Sequence, residues 1–385
     1  MKNFPIWYNN ITNTNNSEKR SFSNIKTDIL IIGGGITGIT TAYFLKNNSK
    51  KVTIIDKDKI GSGVTLASTA KITYLQGIIY QTLSKNFNND VAKQYFNSQK
   101  EAISIIKNIV NYNNIECDLT KVDSIVFTTE EKAVEKIDKE KQILKKWNVN
   151  IENVINKNIK SGIKITDSYV FNPSKYLFKL KKIIEKNVDI YEYVIAKNIR
   201  YNNGIYIVDT NNGVIQASKV IIACHYSFFL LPSFIPLKTY IKKEYINAGK
   251  IDNPQNFCAI NIDNDLHSIR YYNDYIIYGS NKQKLTSKTY YKKAYEKSKE
   301  NFERYFKIKP KYTWMNQDIV SNNYLPYIGS IRKNLYLATA YNAWGITNGT
   351  IAGKIVFDLI INNDSIYKNL FLPTRKNLLL TTNLY

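Results

Sequence analysis

The chain is poor in the residues that staple, ligate or attack. Its 385 residues include three cysteines, two histidines and two methionines. Cys117, Cys224 and Cys258 are far apart and odd in number, with no CxxC and no Cys/His cluster. That pattern points away from a disulfide framework and from a zinc or iron–sulfur site. It fits a reduced, cytoplasmic setting with each cysteine a small apolar residue. His225 and His267 are each read as packed side chains rather than bases. No Ser/His/Asp set or metal-ligand set is visible, so hydrolase and metalloenzyme chemistry are not indicated. Long apolar runs are missing as well. The longest, Phe228 to Leu237, is broken by Pro232, Ser233 and Pro236, and is far short of the roughly 20 residues that span a bilayer. The N-terminus has no long apolar core and no small-residue cleavage site, so a soluble protein without a membrane span is expected.

Acidic residues are also scarce: 31 against 54 basic ones, a formal charge of +23. Such a balance raises nucleic acid or an anionic membrane as a partner. The lysines, however, are scattered over helix faces, with no basic arm or zinc-finger spacing. The chain is crowded with Lys, Asn, Ile and Tyr, 30 of them Tyr, the residue types that AT-rich codons favour. Compositional drift is the simpler reading, and a nucleic-acid partner is not expected. A hydrophobic fraction of 44% is that of a globular protein, and the length suits two domains.

What is present is a glycine turn in a specific setting. Residues 27–38 read TDILIIGGGITG, an apolar run entering Gly33-x-Gly35-x-x-Gly38. A helical pattern, Ile39 to Asn47, follows, and then the apolar stretch Lys51–Asp56 ends in a carboxylate. Strand, glycine turn, helix, strand and acid together form the dinucleotide-binding fingerprint. Gly33 permits the tight turn, Gly35 lets the backbone approach a pyrophosphate, and Gly38 lets helix and strand pack closely. The helix N-terminus offers N–H groups and partial positive charge. Asp56, 18 residues after Gly38, is placed to accept from a ribose and argues against a 2′-phosphate. The unit binds FAD or NAD(P). The loop Gly61–Lys71 that follows is rich in Gly, Ser and Thr and is suited to donating to a pyrophosphate or a ring.

Further along, residues 87–113 read as a long amphipathic helix. Strand Ser124–Phe127 and a lysine-rich helix, Glu130 to Trp147, come next. Asn172-Pro173-Ser174 opens a helix, with Pro173 and Ser174 as its start chemistry. Hairpins are expected near Asn202-Asn203-Gly204 and Asn211-Asn212-Gly213, and Lys219–His225 reads as a buried strand returning to the nucleotide sheet. Residues 236–312 alternate with period two in several places, as in an antiparallel sheet, and end in a helix of about 287–306. Leu335–Ala340, the turn Trp344-Gly345-Ile346-Thr347-Asn348-Gly349 and a helix from Thr350 repeat the strand–glycine turn–helix arrangement.

With that second turn the chain resembles the FAD-dependent oxidoreductases of the D-amino-acid oxidase/glycine oxidase superfamily. It resembles most a branch that often carries a C-terminal Rieske [2Fe–2S] domain. The likeness rests on the first fingerprint, Ile60-Gly61-Ser62-Gly63, Ser68-Thr69-Ala70-Lys71, Asn172–Leu177, Val220–Tyr226, Ser268-Ile269-Arg270, Trp314–Asp318, Leu325–Gly329 and Trp344–Gly349. The paired Cys-x-His and Cys-x-x-His ligands of a Rieske cluster are absent from these residues, so the expected electron acceptor is oxygen or a separate redox partner. The branch tends to have a Gly-His pair where Leu66-Ala67 stand. Ala67 cannot link to a flavin, so non-covalent FAD is expected.

The resemblance implies an α/β protein of mixed type: a Rossmann-like FAD-binding domain (27–80, 150–225 and 325–365) with an inserted antiparallel-sheet substrate domain (81–149 and 226–324). Residues 1–26 and 366–385 are then terminal extensions. It implies hydride transfer from a small amine or amino acid to flavin N5. Gly345, Ile346 and Thr347 would aim N–H groups at the ring edge where negative charge collects. Expected cofactor contacts are Gly33, Gly35, Ile36, Thr37, Gly38, Asp56, Lys57, Gly63, Ser68, Thr69, Val194, Ala223, Gly329, Gly345, Ile346 and Thr347. Arg270 is the candidate substrate anchor, since a guanidinium fork matches a carboxylate. Trp344 and Tyr272 are candidates for the cavity wall, or for core, and Lys71 for a place near the ring. An NAD-linked dehydrogenase and a non-catalytic flavin-binding accessory protein with a basic nucleic-acid-binding surface are the alternatives.

Overall fold

The fold, taken from a computed structural model, is described for residues 2–10, 22–226, 234–284 and 288–375. The chain begins with β1 (Asn24–Ile32), α1 (Ile36–Leu45), β2 (Val52–Asp56), α2 (Val64–Ala67), β3 (Lys71–Ile72), α3 (Ile79–Asn86), α4 (Asn89–Tyr112), β4 (Thr120–Thr128), α5 (Val134–Lys146), β5 (Glu152–Asn153) and β6 (Ser161–Val170). It continues with α6 (Pro173–Ile184), β7 (Val188–Glu192), β8 (Ala196–Asn202), β9 (Ile205–Thr210), β10 (Val214–Ile222), β11 (Thr239–Lys250), β12 (Phe257–Asn261), β13 (His267–Tyr272) and β14 (Tyr275–Lys284). The last elements are α7 (Lys288–Phe306), β15 (Tyr312–Ser321), β16 (Tyr327–Arg332), β17 (Leu335–Thr339) and α8 (Gly345–Ile361).

The architecture is mixed α/β, built on two sheets. The first has the order β16-β17-β10-β1-β2-β7, with the β8–β9 hairpin attached to β10. From β17 to β7 its strands are parallel; β16 and β9 are antiparallel to their neighbours. Strand β1 sits near its centre, with Ile29, Leu30, Ile31 and Ile32 opposite Val52 to Ile55 on one side and Lys219 to Ile222 on the other. All four isoleucine and leucine side chains are buried, as expected of a parallel strand covered on both faces. The second sheet has the order β15-β11-β14-β13-β12-β4-β6-β3. It is antiparallel except for the β12–β4 pair. The chain leaves the first sheet for the second after β2 and again after β10.

Four expectations are corrected here. The segment 150–225 does not stay with the nucleotide sheet, because β5 and β6 pair within the second sheet. The crossing back occurs at α6, whose N-cap is Asn172 rather than Ser174. The Asn172 side chain accepts from the N–H groups of Ser174 and Lys175, and Pro173 follows at the first helical position. The last helix starts at Gly345, not Thr350, so the second glycine turn is its first turn. The terminal segments are not extensions alone: Trp7 and Phe371 are fully buried, and Lys2 bridges to Tyr312. The rest of those segments, 11–21 and 376–385, and residues 228–233 of the Phe228–Leu237 run, lie outside the described residues.

Helices α1 and α8 pack directly against each other. Helix α1 is buried nearly all round, the signature of a helix covered on every side. Contact is close because Gly349 and Gly353 lack side chains. A Cβ on Gly349 would fall 2.5 Å from Ile36 Cγ2, and one on Gly353 would fall 2.8 Å from two Thr40 side-chain carbons. Gly353→Val would overpack this seam and lower stability by about 1–3 kcal/mol; urea unfolding followed by far-UV circular dichroism measures it. An unchanged midpoint would mean that the two helices have room to separate.

Candidate active site

The first turn contains two kinds of glycine. Gly33 has φ 110°, and a Cβ there would lie 2.6 Å from the Ala223 carbonyl oxygen. A Cβ on Gly38 would lie 1.9 Å from the Gly33 carbonyl oxygen. Backbone conformation and internal packing therefore demand glycine at both. Gly35 and Gly63 differ. Their φ values are −77° and −81°, which any residue adopts. A Cβ on Gly35 would meet only Thr65 Oγ1, at 3.3 Å, and one on Gly63 would meet nothing within 4 Å. Gly345 is equally open. Open backbone on both sides of α1's N-terminus and at the start of α8 is the cradle that a bound group would approach.

Asp56 closes the turn. Its Oδ2 accepts from Gly34 N at 2.6 Å and its Oδ1 from Asp58 N at 2.8 Å, which leaves lone pairs for a ribose hydroxyl. Burial pushes its pKa up, against the two backbone donors. Thr65 Oγ1 accepts from Ile36 N at 3.2 Å, tying the loop to the helix start. Nearby, His225 Nε2 is buried without a hydrogen-bond partner, and desolvation lowers its pKa to about 4.

The second turn meets the first. Besides the Gly349–Ile36 contact, Thr37 Oγ1 and Tyr341 Oη are 2.7 Å apart. A closed polar network then holds α8's first turn. Gln76 Nε2 donates to Gln99 Oε1 at 2.9 Å and Thr347 Oγ1 at 3.2 Å, and Tyr95 Oη donates to Gln76 Oε1 at 2.7 Å. Gln99 Nε2 donates to Asn348 Oδ1 at 2.9 Å, and Asn348 Nδ2 to Tyr95 Oη at 3.1 Å. All five side chains are buried, and a fully satisfied buried network rigidifies what it joins.

A cleft opens between this turn and the second sheet. Gln76, Ile79 and Tyr95 line one side, Lys242, Ile260, Val320 and Tyr324 the other, with Asn342, Ala343 and Trp344 at the turn. The Lys71 Nζ stands 5.9 Å from the Trp344 ring centroid. The wall containing Ile79 is anchored by Glu140, whose carboxylate accepts from Tyr80 N at 3.0 Å and Gln81 N at 2.9 Å at the start of α3.

Trp344 and Lys71 thus come together beside Gly345, Ile346 and Thr347, while Gly33, Gly35, Ile36, Thr37, Gly38, Asp56 and Gly63 surround the first turn. Arg270 joins neither group. It is 1% exposed and donates to four backbone carbonyls, those of Thr69, Ala70, Phe171 and Tyr271. No fork is left to clamp a substrate carboxylate, so the anchor role is corrected. Gly329 has φ 138°, and a Cβ there would meet Pro373 Cδ at 3.3 Å and Leu359 Cδ1 at 3.8 Å. Tyr272 bonds Asp118 and stacks edge-on against Trp7 rather than lining the cleft.

Ala223 backs Gly33, and the Val194 N–H is already donated to Asp56 O at 2.8 Å, leaving its carbonyl. Ser68 Oγ caps its own turn by donating to Thr65 O at 2.9 Å, the Thr69 carbonyl is held by Arg270, and Lys57 is exposed beside Asp58. His267 is packed among Phe127, Tyr278 and Tyr305. Sequence reasoning missed Lys242, Gln76, Gln99 and Glu140. Only Lys242 carried a signal, as a charge within an alternating strand.

A parallel dinucleotide sheet, two helix N-termini in contact and an open glycine cradle define a dinucleotide-binding protein. The chain belongs to the FAD dependent oxidoreductase (DAO) family, whose sequence pattern matches residues 28–359. It is 28% identical over 366 residues to a Bacillus subtilis protein provisionally named a Rieske 2Fe-2S iron-sulfur protein, covering 91% of this chain and 72% of that one. To the gamma-glutamylputrescine oxidoreductase of Escherichia coli it is 18% identical over 87% of this chain and 84% of that one. Among solved structures it is similar to glycine oxidase from Geobacillus kaustophilus, with TM-score 0.73, 16% identity and coverage of 91% and 99%. It is likewise similar to L-amino acid deaminase from Proteus vulgaris, with TM-score 0.75, 14% identity and coverage of 93% and 99%. FAD dependence replaces the NAD-linked alternative, and the open glycines and the unpaired Nε2 of His225 fit such a group. Among the described residues, no cluster of three or more His, Cys, Asp or Glu is placed to hold a metal ion. No helix there is long and apolar enough to cross a membrane.

Burial raises the Glu140 pKa to about 7, against three hydrogen bonds that lower it. An acid with a raised folded pKa stabilises the fold most when protonated. Between the unfolded value near 4.5 and about 7, wild type should lose about 1.4 kcal/mol of stability per pH unit relative to Glu140→Gln. Parallel urea titrations of the two proteins across that window test this. Curves that stay parallel would show that Glu140 does not titrate there.

Proposed function

We propose that this protein oxidises the C–N bond of a small amine or amino acid, with non-covalently held FAD as hydride acceptor and oxygen or a separate redox partner as the final oxidant. The observation that carries this reading is the cleft itself. It is largely apolar, lies against α8's first turn, and is lined by Lys242 and by Trp344, whose ring has the Lys71 Nζ 5.9 Å away. Two similar proteins, a glycine oxidase and a gamma-glutamylputrescine oxidoreductase, are named for substrates of the same class. Ala67, at the end of α2, offers no nucleophile for a covalent link, which supports non-covalent binding.

When bound, FAD supplies a two-electron acceptor that no side chain can. The chain's own residues do the rest. The α1 N-terminus and Gly35 bind pyrophosphate, and Asp56 accepts from the ribose. Gly345, Ile346 and Thr347 present first-turn N–H groups toward the charge that develops on reduction. Lys242 and Lys71 take over from Arg270 as the cations that orient a substrate carboxylate. Ile260, Val320 and Trp344 exclude water from the reacting carbon. The segments around β4 and β6 and from β11 to β15 serve as the substrate domain.

The purified protein should be yellow, and acid precipitation should release the flavin into solution. Anaerobic addition of the right amine or amino acid should bleach the visible bands. Lys242→Met should raise KM for carboxylate-bearing substrates about 10- to 100-fold, the size of a charge-assisted hydrogen bond, with little effect on amines that lack a carboxylate. A colourless protein that cannot be reconstituted, or a flavin that no amine or amino acid reduces, would refute the reading.

A further inference from the structure

Residues 67–70 make an unusual set of contacts. Each of four successive carbonyls is held by a buried side-chain donor from far away in the sequence. Trp314 Nε1 donates to Ala67 O at 2.8 Å, and Trp7 Nε1 to Ser68 O at 3.0 Å. Arg270 Nη1 donates to Thr69 O at 2.6 Å and to Ala70 O at 2.9 Å. The donors come from the N-terminal segment, β15 and β13, and they support one another: the Arg270 Cζ lies 5.0 Å from the Trp7 ring centroid.

Three features separate this from ordinary packing. The Arg270 guanidinium is buried, and all four of its hydrogen bonds go to backbone carbonyls. Desolvation lowers its pKa only to about 10, so it stays charged at neutral pH. A buried charge is costly unless its donors are well matched. The loop also contains a strained residue, since Ala70 has φ 55°, a left-handed conformation that a non-glycine residue holds only when its surroundings impose it. Finally, the held segment joins two functional pieces. It starts next to Gly63 and Thr65 at the first turn and ends at Lys71 beside Trp344.

We propose that Trp7, Arg270 and Trp314 act as positioning residues. They form a carbonyl clamp that fixes residues 67–70 as a rigid wall of the flavin site and sets the place of Lys71. The clamp rests on the reading that flavin lies between the two turns. With the carbonyls tied down on one side, the loop cannot turn them toward the cofactor, and its geometry is set before FAD arrives. Arg270, Trp7 and Trp314 act through the loop carbonyls they hold.

The test uses Trp7→Phe and Trp314→Phe, which keep a ring and remove one donor each, with Arg270→Lys to keep the charge and lose the fork. In apo protein, hydrogen exchange of the peptide spanning residues 61–75 should quicken about tenfold in either tryptophan variant, the factor that one lost hydrogen bond represents, while the sheet peptides stay protected. In reconstituted protein the flavin should dissociate about tenfold faster, with a changed visible circular dichroism band and a fall in kcat larger than any change in KM. Arg270→Lys should recover part of what Arg270→Gln loses. If wild type binds FAD and both tryptophan variants match it in exchange, flavin release and dichroism, the clamp is refuted while the flavin reading stands. If wild type takes up no FAD, the flavin reading falls and the clamp with it.

Discussion

The close approach of α1 to α8 is the constraint on which the rest depends. Two helices from opposite ends of the chain meet through Gly349 and Gly353, and a Cβ at either position would collide with Ile36 or Thr40. This brings the N-termini of both helices to one place. Each N-terminus has unsatisfied N–H groups and a partial positive charge, so their juxtaposition creates a region suited to an extended anionic molecule. The parallel sheet supports α1 from one face. The polar network of Gln76, Tyr95, Gln99, Thr347 and Asn348 supports α8 from the other.

The buried polar groups divide the labour around this centre. The amide network joins α4 to α8, and Glu140 joins α5 to α3, so the helical wall of the cleft is held at both ends. On the opposite side Arg270 and two tryptophans hold the loop after α2. In each case the polar atoms are paired, and removing one partner would leave another desolvated. Such sites therefore couple stability to site geometry more tightly than apolar packing does. The cleft lies between these two rigid walls, with Lys242 on β11 facing it and Lys71, at the start of β3, beside the Trp344 ring.

Some of this was legible in the linear chain. The fingerprint from Thr27 to Asp56 could be read because every part of it is local: an apolar run, a turn that needs positive φ, a helix start and a strand end lie within 30 residues. The second turn was legible for the same reason, although its glycine proved to lie inside the helix. Arg270 shows where such reading stops. Alternation along β13 gives the face on which its side chain lies, but not what covers that face. Two distant segments, at Thr69–Ala70 and at Phe171, cover it, and their carbonyls occupy the fork. A φ of 138° and the nearness of Pro373 show why glycine stands at position 329, as φ and Ala223 do at Gly33, and neither could be read from the sequence.

The amino-acid order alone therefore determined the nucleotide-binding unit, the mixed α/β class and the pairing of two glycine turns, because period, turn chemistry and capping act over a few residues. Which cations face the cleft, which polar groups lock its walls and why the lead segment around Trp7 belongs to the core were settled only by folding. Those outcomes depend on side chains separated by 60 to 300 positions meeting in a desolvated interior, as Trp7 meets Ser68 and Asn348 meets Tyr95. No local pattern encodes that distance.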